Sequence, residues 1–176
     1  MSVGGDLTVG GPGTISNSVE LSSVSVLSVT GDISIGSLAG KGSLTAQGTS
    51  AITVGGNVYV GLGSQGRLEL DAAIMAVTGD VFVRGDAQAP LTADVSLTGA
   101  GTIDATGKVF ALEDAKINIG LDVAGNVSGH GIINSNGAEF GTQFVAANAI
   151  VTLANEIPPN NNSPSQWDAK GKDFIV

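Results

Sequence analysis

Residues Gly55 to Val83 read "GGNVYVGLGSQGRLELDAAIMAVTGDVFV". Apolar side chains alternate at Val58 and Val60 around Tyr59 and break at "GLGSQG". They resume in "GRLEL" from Gly66 and in "AIMAVT" from Ala73, and then "GDVFV" at Gly79 starts the pattern again. Alternation with a period of two gives each short strand one buried face. Glycine between strands permits the positive φ that sharp corners need. The stretch is therefore one unit of three short strands plus the opening strand of the next.

The unit recurs along the chain. "GDLTVG" at Gly5, "GDISIG" at Gly31, "GNVYVG" at Gly56 and "GDVFVR" at Gly79 follow one another at intervals of 26, 25 and 23 residues. A looser copy, "GKVFAL", begins at Gly107, and "GNVSGH" at Gly125 is the next candidate. Second strands are expected at "GTIS" from Gly13, "GSLTA" from Gly42 and "GRLEL" from Gly66. Third strands are expected at "VSVLSV" from Val24, "AITV" from Ala51 and "AIMAVT" from Ala73. Helix is disfavoured, because glycine and β-branched residues occur throughout.

A recurring three-strand unit fits coils that stack at about 4.8 Å, the spacing of neighbouring strands. The expected fold is all-β, a single-stranded right-handed parallel β-helix (β-solenoid) of six to seven coils. An antiparallel sandwich or barrel with glycine turns is the structural alternative. Stacking creates one inward column of Leu7, Ile33, Val58, Val81 and Val109. A second contains Val9, Ile35, Val60, Val83 and Ala111. Burial of such side chains stabilises by roughly 1.5–3 kcal/mol each. The solenoid domain is expected over 1–155, with regular coils over 3–107 and irregular ones over 108–155. Residues 156–176, which include "PPNNNSPSQWDAKGK", have the composition of a linker or cap, and "DFIV" is expected to dock back or fray. The stretch "RGDAQAPLTAD" after the strand at Val81 reads as a bulging loop.

The 176 residues carry a net charge of −9, from seven Lys and Arg against sixteen Asp and Glu. No basic footprint for nucleic acid exists, and an anionic membrane surface is disfavoured for the same reason. No apolar run reaches the ~18 residues that span a bilayer, so membrane insertion is not expected. Cysteine is absent, which excludes a disulfide framework and thiolate metal sites. The start "MSVGGDLTVGG" lacks a basic region and a long apolar run, and it reads as a segment of a longer chain without a visible signal peptide.

In its "GNVYVGLGSQGRLEL" (Gly56 to Leu70), and more loosely in "GDLTVGGPGTIS" and "GDISIGSLAGKGSLTA", the chain resembles the autotransporter-associated β-strand repeats of bacterial surface and secreted proteins. The resemblance covers about Val3 to Gly107. It implies an extended β-helical stalk or adhesin passenger outside a Gram-negative cell. It supplies no catalytic residues.

Three sets of residues stand out as candidate sites. The position after the unit's first glycine holds Asp6, Asp32, Asn57, Asp80 and Lys108. Carboxylates about 5 Å apart repel one another. A cation such as Ca²⁺ between Asp6, Asp32 and Asp80 would relieve this; placement at solvated turns, eased by Asn57 and Lys108, would relieve it too. The outward position between the two core columns holds Thr8, Ser34, Tyr59, Phe82 and Phe110. Tyr59, Phe82 and Phe110 form either an aromatic face for a glycan or surface receptor, or a stack that stabilises the sheet. Arg84-Gly85-Asp86 spells a cell-adhesion tripeptide, but Gly-Asp already belongs to the turns of this repeat, and the match is read as coincidence. His130 is the single histidine and lacks the partners of a triad or a metal site. Asp94, Asp104, Glu113 and Asp114 share no evident strand face.

The functional expectation is a non-enzymatic structural or adhesive segment, extracellular or at the cell surface. The alternatives are a polysaccharide-processing β-helix and a self-assembling filament subunit that pairs through open solenoid edges.

Overall fold

Each run of alternating residues becomes a strand, and every strand but the last pairs with the strand one unit away rather than with its chain neighbour. The computed structural model describes residues 1–11, 16–36, 40–62, 64–84, 93–112, 116–119, 131–140, 144–146, 149–153 and 174–175. The first turn comprises β1 (Ser2–Val3), β2 (Leu7–Val9) and β3 (Asn17–Leu21). The second comprises β4 (Val26–Val29), β5 (Ile33–Ile35) and β6 (Gly42–Gln47), and the third β7 (Ala51–Val54), β8 (Val58–Val60) and β9 (Gly66–Asp71). The fourth has β10 (Ile74–Val77), β11 (Val81–Arg84) and β12 (Ala93–Thr98). Next come β13 (Gly101–Ala105), β14 (Lys108–Leu112) and β15 (Lys116–Ile119). Then follow β16 (Gly131–Ser135), β17 (Gly137–Phe140), β18 (Phe144–Ala146), β19 (Ala149–Leu153) and β20 (Phe174–Ile175).

Three sheets result. One sheet runs β1-β4-β7-β10-β13-β16-β19-β20, a second β2-β5-β8-β11-β14-β17 and a third β3-β6-β9-β12-β15-β18. Every pairing is parallel except β19 with β20. The fold is a parallel β-solenoid, as the repeat implied, and no helix occurs among the described residues. The solenoid has about four turns, a little fewer than the expected six to seven, and strand pairing extends its three columns through β16–β19.

The predicted columns are in register. Leu7 pairs with Ile33, Ile33 with Val58, Val58 with Val81 and Val81 with Val109. All but Leu7 are fully buried. The other two sheets supply facing columns, Leu44–Leu68–Val95 and Leu27–Ile52–Met75–Ile103, and all of these side chains lie in one core. One unit alone has no surface on which to bury this row, so core formation and stacking are the same event.

The corners explain the glycine content. Where the second sheet hands the chain to the third, Gly10, Gly36 and Gly61 take φ of 105°, 72° and 82°. At the equivalent point of the fourth turn stands Arg84, which continues its strand instead. The corner into the first sheet uses non-glycine residues with positive φ as well: Ser23, Ala72 and Ala100.

Two expected strand positions are corrected. The third-sheet strand of the first turn begins at Asn17, not at "GTIS", because Asn17 pairs with Gly42 and sets Val19 beside Leu44. The rung after β14 is Gly137–Phe140, not "GNVSGH" at Gly125, since Lys108 pairs with Gly137. The "DFIV" end docks back: Phe174–Ile175 lies antiparallel on β19. The ends of the stretch expected as a loop, "RGDAQAPLTAD", are strand: Arg84 closes β11, and Ala93 and Asp94 open β12. Residues 85–92 between them, most of the proposed linker and His130 lie outside the described residues.

Candidate functional site

The acidic column sits at the tight corner between the first and second sheets. Each member receives the backbone N–H of the residue one rung on. Asp32 donates to Asp6 Oδ1 at 2.9 Å, Asn57 to Asp32 Oδ1 at 2.7 Å, Asp80 to Asn57 Oδ1 at 2.9 Å and Lys108 to Asp80 Oδ1 at 2.7 Å. The side chains thus cap corner amides that the sheet ladder does not reach. This gives the glycine that precedes each of them a physical reason. A Cβ on Gly31, Gly56, Gly79 or Gly107 would fall 2.0–2.2 Å from the oxygen of the side chain that crosses it. A Cβ on Gly5, which no described side chain crosses, would meet nothing within 4 Å. Asp6 and Asp32 are neighbours in the column, whereas Asn57 separates Asp32 from Asp80. Among the described residues no three metal-ligating side chains converge.

The second set is brought together as the sequence implied. Tyr59 pairs with Phe82 and Phe82 with Phe110. Ring centroids are 5.3 Å and 5.0 Å apart, with interplanar angles of 8° and 6°. The rings therefore turn their faces to one another and present edges outward. Sugars bind aromatic side chains through the ring face, and here the inner faces are already in contact. Tyr59 also accepts a hydrogen bond from Asn57 Nδ2 at 3.2 Å, which ties the aromatic column to the amide-capping one. The stack is thereby a stabilising feature of the second sheet. In the next rung the partner of Phe110 is Glu139, so the aromatic column stops there.

Of the adhesion-like tripeptide, Arg84 ends β11 and is exposed, while Gly85 and Asp86 lie outside the described residues. Asp94 and Asp104 stand on different sheets, in β12 and β13.

The structure adds a feature that no motif announced. A groove of about 410 Å³ lies on the third sheet where its strands begin. Successive rungs contribute Asn17, Lys41 with Ser43, Gln65 with Arg67, and Asp94. Arg67 forms an ion pair with Glu69, which also accepts a hydrogen bond from Thr45 Oγ1 at 3.3 Å. Polar residues just before and after a corner glycine were the available signal, but they resemble any solvated turn.

The fold and these columns define the chain as an all-β solenoid built from short repeats. Comparison with known protein families, with curated proteins and with solved structures finds no match.

Proposed function

We propose that the chain is a non-enzymatic, rigid spacer: a β-solenoid segment that projects a binding region from a bacterial surface or secreted protein, the setting implied by its repeat resemblance. The observation that carries this reading is the use made of its polar and aromatic residues. The acidic column holds successive rungs together through their corner amides. The aromatic column does the same through ring stacking. Both run along the solenoid axis, in parallel with the apolar core. Three kinds of contact repeated from rung to rung make a stiff rod, which suits spacing better than turnover. The location outside the cell belongs to this proposal.

Deletion of one whole turn, residues 51–73, tests the proposal. The removed segment spans one repeat, so the cut ends bring equivalent corners together. The shortened chain is expected to fold, and small-angle scattering should show a rod shorter by about 5 Å, one strand spacing. A collapsed or unfolded product would count against a modular spacer. Release of reducing sugar ends from any of a panel of bacterial and plant polysaccharides would replace it with the polysaccharide-processing reading. At the C-terminal edge of the first sheet β20 covers Ile150 and Val151, one of the edges that a stacking copy would pair with, and fibres of the purified chain in electron microscopy would replace the spacer reading with the filament one.

A further inference from the structure

We propose that the groove at the start of the third sheet is a binding site for a linear acidic oligosaccharide, with uronate-type carboxylates directed to Lys41 and Arg67. This goes beyond the spacer reading and places ligand binding away from the aromatic stack.

Four observations carry it. The groove runs along the solenoid axis, because the residues that line it belong to four successive rungs in register: Asn17, Gly42, Gly66 and the start of β12 at Ala93 and Asp94. Rungs repeat at about 4.8 Å, comparable to the length of one pyranose unit, so a linear glycan along the axis meets one set of side chains per sugar. Its polar lining offers hydroxyl, amide, guanidinium and carboxylate groups at this repeat. Finally, two of the chain's seven cationic residues, Lys41 and Arg67, line the groove. Arg67 is balanced by Glu69 and stands in register with Asp94, so Lys41 carries the charge attraction.

The two cations differ. Arg67 is held by Glu69 and is therefore oriented; its Nε is buried, so its terminal guanidinium N–H groups are the ones offered to carboxylate and hydroxyl oxygens. Lys41 is exposed and forms no ion pair among the described residues, which leaves its ammonium free for an anion. Among the described residues the lining contains no aromatic side chain, so recognition rests on charge and hydrogen bonding rather than on ring stacking. Glycine is required where these strands begin: a Cβ on Gly42 would fall 2.0 Å from the Val9 carbonyl oxygen, and one on Gly66 2.4 Å from that of Ile35.

Titration calorimetry of the full chain with a short oligogalacturonate, and with an uncharged cello-oligosaccharide of equal length, provides the test. The acidic oligomer should bind and the uncharged one should not. Lys41→Gln should weaken binding at least about tenfold, the scale of one charge-assisted contact. Lys108→Gln, at an exposed lysine on another sheet, should leave the affinity unchanged. Lys41 is exposed, so its replacement is not expected to disturb folding, and an unchanged melting temperature verifies this. The proposal is overturned if the acidic oligomer does not bind or the uncharged one binds equally well. It is overturned too if the two lysine variants lose affinity alike, which would mean diffuse electrostatic attraction rather than a site.

Discussion

Asp32 stands one rung above Asp6, and its amide N–H donates to Asp6 Oδ1 at 2.9 Å. The same oxygen lies 2.0 Å from where a Cβ on Gly31 would be. One contact thus accounts for two letters of the repeated Gly-Asp pair. The aspartate caps an amide on the next rung, and the next glycine leaves it room to cross.

The first consequence concerns glycines that look alike in sequence. Gly5 and Gly56 open the same motif, but only Gly56 is crossed by a side chain, that of Asp32. Gly56→Ala should lower stability by about 1–3 kcal/mol through the lost amide cap and local overpacking. Gly5→Ala should be within about 0.5 kcal/mol of the parent, as for surface substitutions generally. Urea unfolding midpoints of the two variants measure this directly, and equal midpoints would contradict the capping account.

A second prediction separates the acceptor from its charge. Asp32→Ala strands the Asn57 N–H and should cost about 1–3 kcal/mol. Asp32→Asn keeps an oxygen in the same place, as Asn57 does naturally toward Asp80. It also removes one of two neighbouring negative charges. The Asn variant should therefore be at least as stable as the parent at neutral pH and low salt. Loss of stability equal to that of the Ala variant would show that the charge itself matters.

The aromatic column predicts a pattern of coupling. Double-mutant cycles should give about 0.5–1.5 kcal/mol between Tyr59 and Phe82, and again between Phe82 and Phe110. Tyr59 and Phe110 lie two rungs apart, and their coupling should be close to zero. Substantial coupling between these outer rings would mean that the column does not act through nearest neighbours.

The last prediction concerns the C-terminal edge of the first sheet. Removal of residues 174–176 exposes β19, which now pairs with β20. An uncovered parallel edge is a template for another chain. Sedimentation velocity should then show association that rises with protein concentration, absent from the full chain. A truncated protein that stays monomeric would mean that β20 does not guard this edge.

Much of the fold was legible because its information is local or strictly periodic. Val58, Tyr59 and Val60 show the alternation within one strand, and Ile33, Val81 and Val109 show the same position recurring. The errors fell where two similar segments competed. "GTIS" resembles "GSLTA", yet only the strand at Asn17 sets Val19 and Leu21 beside Leu44 and Ala46. Left-handed Ala72 and Ala100 carry no sequence mark, since nothing about alanine announces positive φ. The aromatic column was visible as spacing, but spacing does not say whether rings face outward or one another. Lys41 and Arg67 belong to different repeats, and neither stands out within its own.

The sequence by itself determined the strand pattern, the repeat and the identity of the core columns. These follow from side-chain alternation and from the need of each unit to bury its apolar row on another. Tertiary structure alone decided which oxygen caps which amide, how the rings of Tyr59, Phe82 and Phe110 meet, and that residues from four rungs form one groove. Those contacts join residues some 25 positions apart, such as Asn57 and Asp32. Their geometry depends on the register between rungs, which exists only once the solenoid has wound.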